Sequence, residues 1–189
     1  SETYNGTAWT ETNDLQTARA NEGGAGSGTT TAGLIYGGSH PGFTDNTEEF
    51  DGTNWAEVAN LNTARRALGG AGTQTASLCV AGQTPPNSTV GIAEEWNGSS
   101  WTETTDINTA RQCIHMIGQT STALLGVGGF TNSALNESFN GTAWTELGDL
   151  NTNRSHMATR GGTQTSGIIA GGQGDRIDNT EEWNGTSWT

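Results

Sequence analysis

Side-chain chemistry needs unlike residues in unlike roles, and this sequence has few to offer. It holds three histidines, two cysteines, two tyrosines and seven basic residues, every one an Arg. His115 and His156 follow Arg111 and Arg154 by four and two residues, which predicts both on the opening strands of their segments. An imidazole pair there could hold a metal ion, but no acidic residue stands at a matching offset, so polar packing is the expected role. Cys79 and Cys113 lack a CxxC or a His spacing and read as small apolar strand residues. Asp175 and Asp178 stand three apart in the run Gly174 to Asn179 without the ligand count of a calcium loop. A solvated turn is expected, and no cofactor or metal. Asn-X-Ser/Thr occurs at positions that include Asn5, Asn87, Asn97, Asn136, Asn140 and Asn184. Four of these are Asn-Gly pairs, where turn geometry already accounts for the Asn, so glycosylation is the weaker reading.

The elements that must position these residues come from a repeat. Trp9, Trp55, Trp101, Trp144 and Trp188 are separated by 46, 46, 43 and 44 residues. Five residues before each stands another aromatic: Tyr4, Phe50, Trp96, Phe139 and Trp183. Between them lies NGTA, DGTN, NGSS, NGTA or NGTS. Arg19, Arg65, Arg111 and Arg154 recur at 46, 46 and 43, and Gly37-Gly38, Ala81-Gly82, Gly128-Gly129 and Gly171-Gly172 keep the same phase. Each unit reads as four strands, shown here for the second: Arg65 to Gly72, Ala76 to Gly82, Gly91 to Trp96 and Ser100 to Thr104. The Asn-Gly and Asp-Gly pairs predict type I′ hairpin turns between the third and fourth strands. Units fall at about 16–57, 62–103, 108–146 and 151–189, with a spare hairpin at 2–12, and the whole of 1–189 is expected to form one domain.

Composition agrees. Apolar residues are 31% and charged residues 14%, with 29 Gly and 7 Trp, which suits short strands with aromatic anchors rather than long helices. The expected class is all-β: a β-propeller of four-stranded antiparallel blades, four complete blades, with a five-bladed ring as the rival. Paired aromatics would fill the layer between blades. The repeated Arg would ion-pair with Glu49, Glu95 and Glu182, bidentately, stitching a blade to its neighbour. Gly-rich first strands would relieve crowding at a narrow axis.

These marks resemble the kelch repeat: Arg65, Ala81-Gly82, Glu94-Glu95-Trp96 and Trp101 in one unit, then Arg111, Gly128-Gly129, Glu137-Ser138-Phe139 and Trp144 in the next. The hairpin is shorter than is usual for kelch, and Ala81 stands for a Gly. EEWNGTSWT is also similar to kelch-like repeats of bacteriophage and bacterial surface proteins. The copper oxidases that share the kelch architecture need Tyr, His and a cross-linked Cys together, and Tyr4 and Tyr36 both fall in strand registers. Propeller sialidases need Asp boxes, whose spacing Asp51 to Trp55 lacks. The resemblance therefore implies a non-enzymatic scaffold.

Function is expected where the repeats differ. The second-to-third strand connections vary most. They contribute His40, Phe43 and Asp45, then Pro85 and Asn87, then Phe130 and Asn132, then Asp175, Arg176 and Asp178. Aromatics beside amides and carboxylates suit a glycan or a protein surface, as in a phage or bacterial adhesin. The alternative is a structural unit of a virion or extracellular fibre, self-assembling through its terminal hairpins. The formal charge of −13 disfavours nucleic acid and anionic lipid. No apolar run is long enough for a membrane span. The start, SETYNGTAWT, predicts no signal peptide, and an extracellular or virion location is expected.

Overall fold

The structure, a computed structural model, describes residues 1–130, 133–157, 159–173 and 178–189. It is all-β, with no helix among the described residues. A hairpin of β1 (Glu2–Tyr4) and β2 (Trp9–Glu11) precedes everything else. Unit 1 is a sheet of β3 (Gly23–Gly24), β4 (Gly33–Tyr36), β5 (Thr47–Phe50) and β6 (Trp55–Val58). Unit 2 holds β7 (Gly69–Thr73), β8 (Ala76–Val80), β11 (Ala93–Trp96) and β12 (Trp101–Thr104), interrupted by a ribbon of β9 (Gln83–Thr84) and β10 (Ser88–Thr89). Unit 3 is β13 (His115–Thr120), β14 (Ala123–Val127), β15 (Asn136–Phe139) and β16 (Trp144–Glu146). Unit 4 has β17 (Thr159–Thr163), β18 (Ser166–Ala170) and β19 (Thr180–Trp183), with Trp188 joined to Trp183 by a single bridge. Within each sheet every strand pairs antiparallel with the next in sequence.

The strands after each Arg start later than expected. Unit 2 begins at Gly69, not Arg65, because Arg65 lies on the crossover that enters the sheet. The aromatic-to-Trp turn also differs from the type I′ expectation. Trp96 faces Trp101, so four residues span the turn, and only Gly98 has a positive φ, of 91°. The Asn97 side chain decides this geometry: its Oδ1 accepts from Ser99 N at 2.9 Å and Ser100 N at 3.0 Å. Asp51 makes the same two bonds, to Thr53 N and Asn54 N, which hold its carboxyl below the usual carboxylate range. An Asp therefore replaces Asn there without loss of the turn.

Apolar side chains collect between sheets. One core joins Leu34 and Tyr36 of unit 1 to Leu68, Trp96 and Trp101 of unit 2. A second joins Leu78 of unit 2 to Leu124, Phe139 and Trp144 of unit 3, and a third joins Leu125 of unit 3 to Ile169, Trp183 and Trp188 of unit 4. Tyr36 shows how the units lock: its ring stands edge-on to Trp101 at 4.7 Å, and its hydroxyl donates to Leu78 O at 3.2 Å. The first strands of consecutive units touch in turn, β3 with β7, β7 with β13 and β13 with β17. A cavity of about 410 Å³ is lined by β7, β13 and β17 through Gly70, Gly118 and Gly161, and by Gly26, two residues past β3.

Gly69 and Gly70 of unit 2 answer to the neighbouring sheets. A Cβ on Gly69 would sit 2.8 Å from Ile114 Cγ2, and one on Gly70 would sit 2.6 Å from Gly24 O. At these two positions sheet-to-sheet contact sets the small side chain.

The ion pairs are Arg19–Glu48, Arg65–Glu94, Arg111–Glu137 and Arg154–Glu181. This corrects the expected partners Glu49, Glu95 and Glu182, which sit one residue on and therefore on the opposite face of the strand. It also corrects the expected role. Arg and Glu belong to the same unit, and the guanidinium divides its donors. Arg65 Nη2 gives to Glu94 Oε1 at 2.7 Å, while Nη1 gives to Ile92 O at 2.6 Å and Ala81 O at 3.1 Å. The other carboxylate oxygen accepts from Asn62 N at 2.7 Å, so crossover, Gly-turn and third strand are tied at one buried point. Burial pulls the Arg111 guanidinium below its usual range, and Glu137 beside it opposes that shift. The neighbour is reached instead by the Arg main chain, since Arg65 O accepts from Gly38 N at 2.7 Å.

Candidate ligand-binding face

The residue after each Arg pairs with the first residue of the same unit's second-to-third connection: Ala20 with Ser39, Arg66 with Gln83, Gln112 with Phe130 and Ser155 with Gln173. These bridges gather the variable loops and the crossovers on one face. One residue further on, Asn21, Ala67, Cys113 and His156 all take left-handed backbone, with φ between 50° and 58°. Ala67 N donates to Asn21 O and Cys113 N to Ala67 O, each at 2.7 Å. His115 Nε2 accepts from Met157 N at 2.9 Å and so links unit 3 to unit 4. That bond uses the ring nitrogen a metal would need. A cavity of about 440 Å³ opens among these residues, lined by Asn21, Ala67, Cys113, His115 and His156.

On this face the predicted residues divide. Phe43 is half-buried, with the guanidinium of Arg66 4.7 Å above its ring. Arg66 also reaches Gln83 Oε1 at 3.3 Å and Asn87 Oδ1 at 3.0 Å, so Phe43 and Asn87 come from different units into one cluster. Phe130 is 46% exposed, and its ring lies 6.4 Å from that of His156. His40 and Pro85 are exposed, each in a cis peptide with the proline that follows. Asp45 is half-buried, and its main-chain carbonyl accepts from Leu61 N at 2.9 Å. Asp178 is exposed. Asn132, Asp175 and Arg176 lie outside the described residues.

No protein-family model matches the chain, and no curated protein matches it.

Arg66 is the member of this face that residue patterns did not single out. A signal existed: Arg65-Arg66 is the one place where a basic residue follows the repeated Arg, the other units having Ala20, Gln112 and Ser155. Among the described residues no group of three or more His, Cys, Asp and Glu is placed to hold a metal ion, and no helix is long and apolar enough to cross a membrane. Cys79 is buried beside Arg65, and desolvation pushes its thiol up to about 12. Burial also raises the Cys113 thiol at the cavity mouth. Both thiols therefore stay protonated, and poorly nucleophilic, near neutral pH.

Outside the four buried ion pairs the charge count of the sequence is more one-sided than the full tally of ionisable residues suggests. Four of the seven Arg and four of the 20 acidic residues neutralise one another inside the units. Three Arg are left against sixteen carboxylates, and Arg66 is a cation on the described part of the loop face.

Proposed function

We propose that this chain is a kelch-like β-propeller scaffold of four blades, and that its loop face binds a neutral glycan or the polar surface of a protein. It carries out recognition, not catalysis, in the manner of a phage or bacterial surface adhesin. The observation that carries the reading is the convergence of Phe43, Arg66 and Asn87 from two units, with Arg66 next in sequence to the cavity-lining Ala67 and Phe130 exposed beside the cavity-lining His156. An aromatic face beside a guanidinium and an amide offers stacking and directed hydrogen bonds to hydroxyls or peptide groups. The acidic remainder repels phosphate-rich partners and sharpens that choice.

The test is a glycan array together with immobilised host-surface proteins, followed by titration of whichever binds. Arg66→Ala and Phe130→Ala should each weaken the interaction at least about tenfold, as loss of an anchoring Arg or aromatic does. Glu103→Ala, on the exposed outer strand β12, should leave it unchanged. Binding that survives both face substitutions rejects the proposal.

A second reading, a structural unit of a virion or extracellular fibre, is supported by the terminal hairpin. Trp9 is 67% exposed, unlike its repeats.

A further inference from the structure

The turns that close the outer hairpins hold a chemistry that ligand binding does not use. Four of them begin with Asn followed by Gly: Asn5-Gly6, Asn97-Gly98, Asn140-Gly141 and Asn184-Gly185. A carboxamide carbon is an electrophile, and the next main-chain nitrogen can attack it, closing a succinimide ring and releasing ammonia. The charge that develops on Oδ1 in that step already faces two donors. Asn97 Oδ1 accepts from Ser99 N at 2.9 Å and Ser100 N at 3.0 Å, and Asn140 Oδ1 accepts from Thr142 N and Ala143 N, both at 2.9 Å. Asn184 repeats the arrangement with Thr186 N and Ser187 N, and Asn5 with Thr7 N and Ala8 N. These separations fall within the about 2.7–3.1 Å at which paired donors stabilise an oxyanion. Away from the turns, Oδ1 of Asn46, Asn54, Asn60 and Asn87 each accepts a single bond.

The nucleophile is unencumbered. Gly6 N, Gly98 N, Gly141 N and Gly185 N donate to no group among the described residues, so each proton can pass to solvent without breaking a bond. All four Asn are exposed, and the missing Gly side chain leaves the approach to Cγ open. Unit 1 shows the product of the reaction in place. Asp51 stands where the other turns have Asn, and its carboxylate keeps both bonds, at 2.8 Å to Thr53 N and 2.7 Å to Asn54 N. They are shorter than their Asn counterparts, as bonds to a charged acceptor are. A carboxylate therefore fits this turn at least as well as an amide.

We propose that the four Asn-Gly turns are sites of self-activated deamidation, in which the folded turn supplies the oxyanion donors for attack on its own carboxamide. The Gly nitrogen gives its proton to hydroxide and bonds to Cγ. The tetrahedral oxyanion on Oδ1 then collapses, the Cγ–Nδ2 bond breaks, and Nδ2 takes a proton from water and leaves as ammonia. A second water opens the succinimide. Opening at Cγ gives aspartate and reproduces the turn of Asp51. Opening at the main-chain carbonyl gives isoaspartate, whose extra main-chain carbon disturbs the pairing of Trp96 with Trp101. The net change exchanges ammonia for water, with no oxidation or reduction. Each conversion makes the chain one charge more acidic than its formal −13. The turns lie at the end of each sheet away from the second-to-third connections, so this chemistry stands or falls apart from the ligand-face proposal.

The test is the full chain held in mildly alkaline buffer, folded and in guanidinium chloride side by side, with peptide mass spectrometry reading the amide-to-acid mass gain at each Asn. An Asn-Gly pair can cyclise in any flexible chain, so the comparison isolates what the fold adds. Asn97 and Asn140 should convert about tenfold faster in the folded chain, the worth of about one net hydrogen bond to the oxyanion. Equal or slower conversion in the folded chain, or no conversion at all, overturns the proposal. The second measurement is Asn97→Asp, which installs the product directly. Its unfolding midpoint in guanidinium chloride should match that of the parent chain, and a clearly lower midpoint would show that the turn does not retain the carboxylate.

Discussion

Glu94→Ala removes about 3–5 kcal/mol of folding stability, the cost of leaving a buried guanidinium without its counter-charge. Glu95→Ala, one residue along the same strand, removes no more than about 1 kcal/mol. The difference follows from strand alternation. Glu94 is fully buried, accepting from Arg65 at 2.7 Å and from Asn62 N at 2.7 Å. Glu95 is half-buried and meets only the Ser121 hydroxyl at 3.3 Å. Urea unfolding followed by Trp fluorescence measures both, and equal effects would put the ion pair in the wrong place. The pair need not outperform an apolar replacement of both partners, since desolvation opposes its attraction. Its work is to tie the crossover to the third strand in one register, and breaking it leaves one charge stranded.

The second large effect separates two tryptophans with the same sequence surroundings. Trp101→Ala costs about 3–5 kcal/mol, because a buried ring of that size leaves a cavity that the sheets cannot close. Trp101 is 5% exposed, contacts Tyr36 edge-on at 4.7 Å and donates to Thr47 Oγ1 at 3.1 Å. Trp9 is 67% exposed, so Trp9→Ala shifts the unfolding midpoint of the dilute protein by little, within about 0.5 kcal/mol. A large loss at Trp9 would mean that the hairpin is already packed as a complete blade in the isolated chain.

How much of this was legible in the residues depends on what kind of fact each one is. Trp and Arg spacing revealed the four sheets and their strand order, because an aromatic pair recurs in phase where the chain folds the same hairpin each time. The Glu partner was misplaced by one because Glu48-Glu49, Glu94-Glu95 and Glu181-Glu182 are doublets. Unit 3 held the answer, since Glu137 is followed by Ser138 and only the first position is acidic throughout. Asn-Gly suggested a tight two-residue turn, but the side-chain acceptor, shared by Asp51, sets a four-residue loop. The left-handed positions Asn21, Ala67, Cys113 and His156 left no trace, for four dissimilar residue types share a backbone imposed by the crossover. The Phe43–Arg66–Asn87 cluster was half visible: the loops were marked by their variation, but a contact between two units depends on how the sheets face one another. The same holds for the exposure of Trp9, which depends on how its hairpin faces unit 1.

The proposal that most needs testing is that the four units surround one axis. Asn21 and His156, from the first and last units, both line the loop-face cavity and are exposed. Cys113, at the equivalent position of unit 3, shows that a cysteine is accommodated there. Spin labels on Asn21→Cys and His156→Cys, in a Cys113→Ser background diluted with unlabelled chain, should lie within about 20 Å by electron–electron double resonance. Sheets stacked in a line at about 10 Å each would separate the first and last units by roughly 30 Å before the labels add their length. A single short distance is the predicted result, and a distribution centred beyond the linear-stack value contradicts the account.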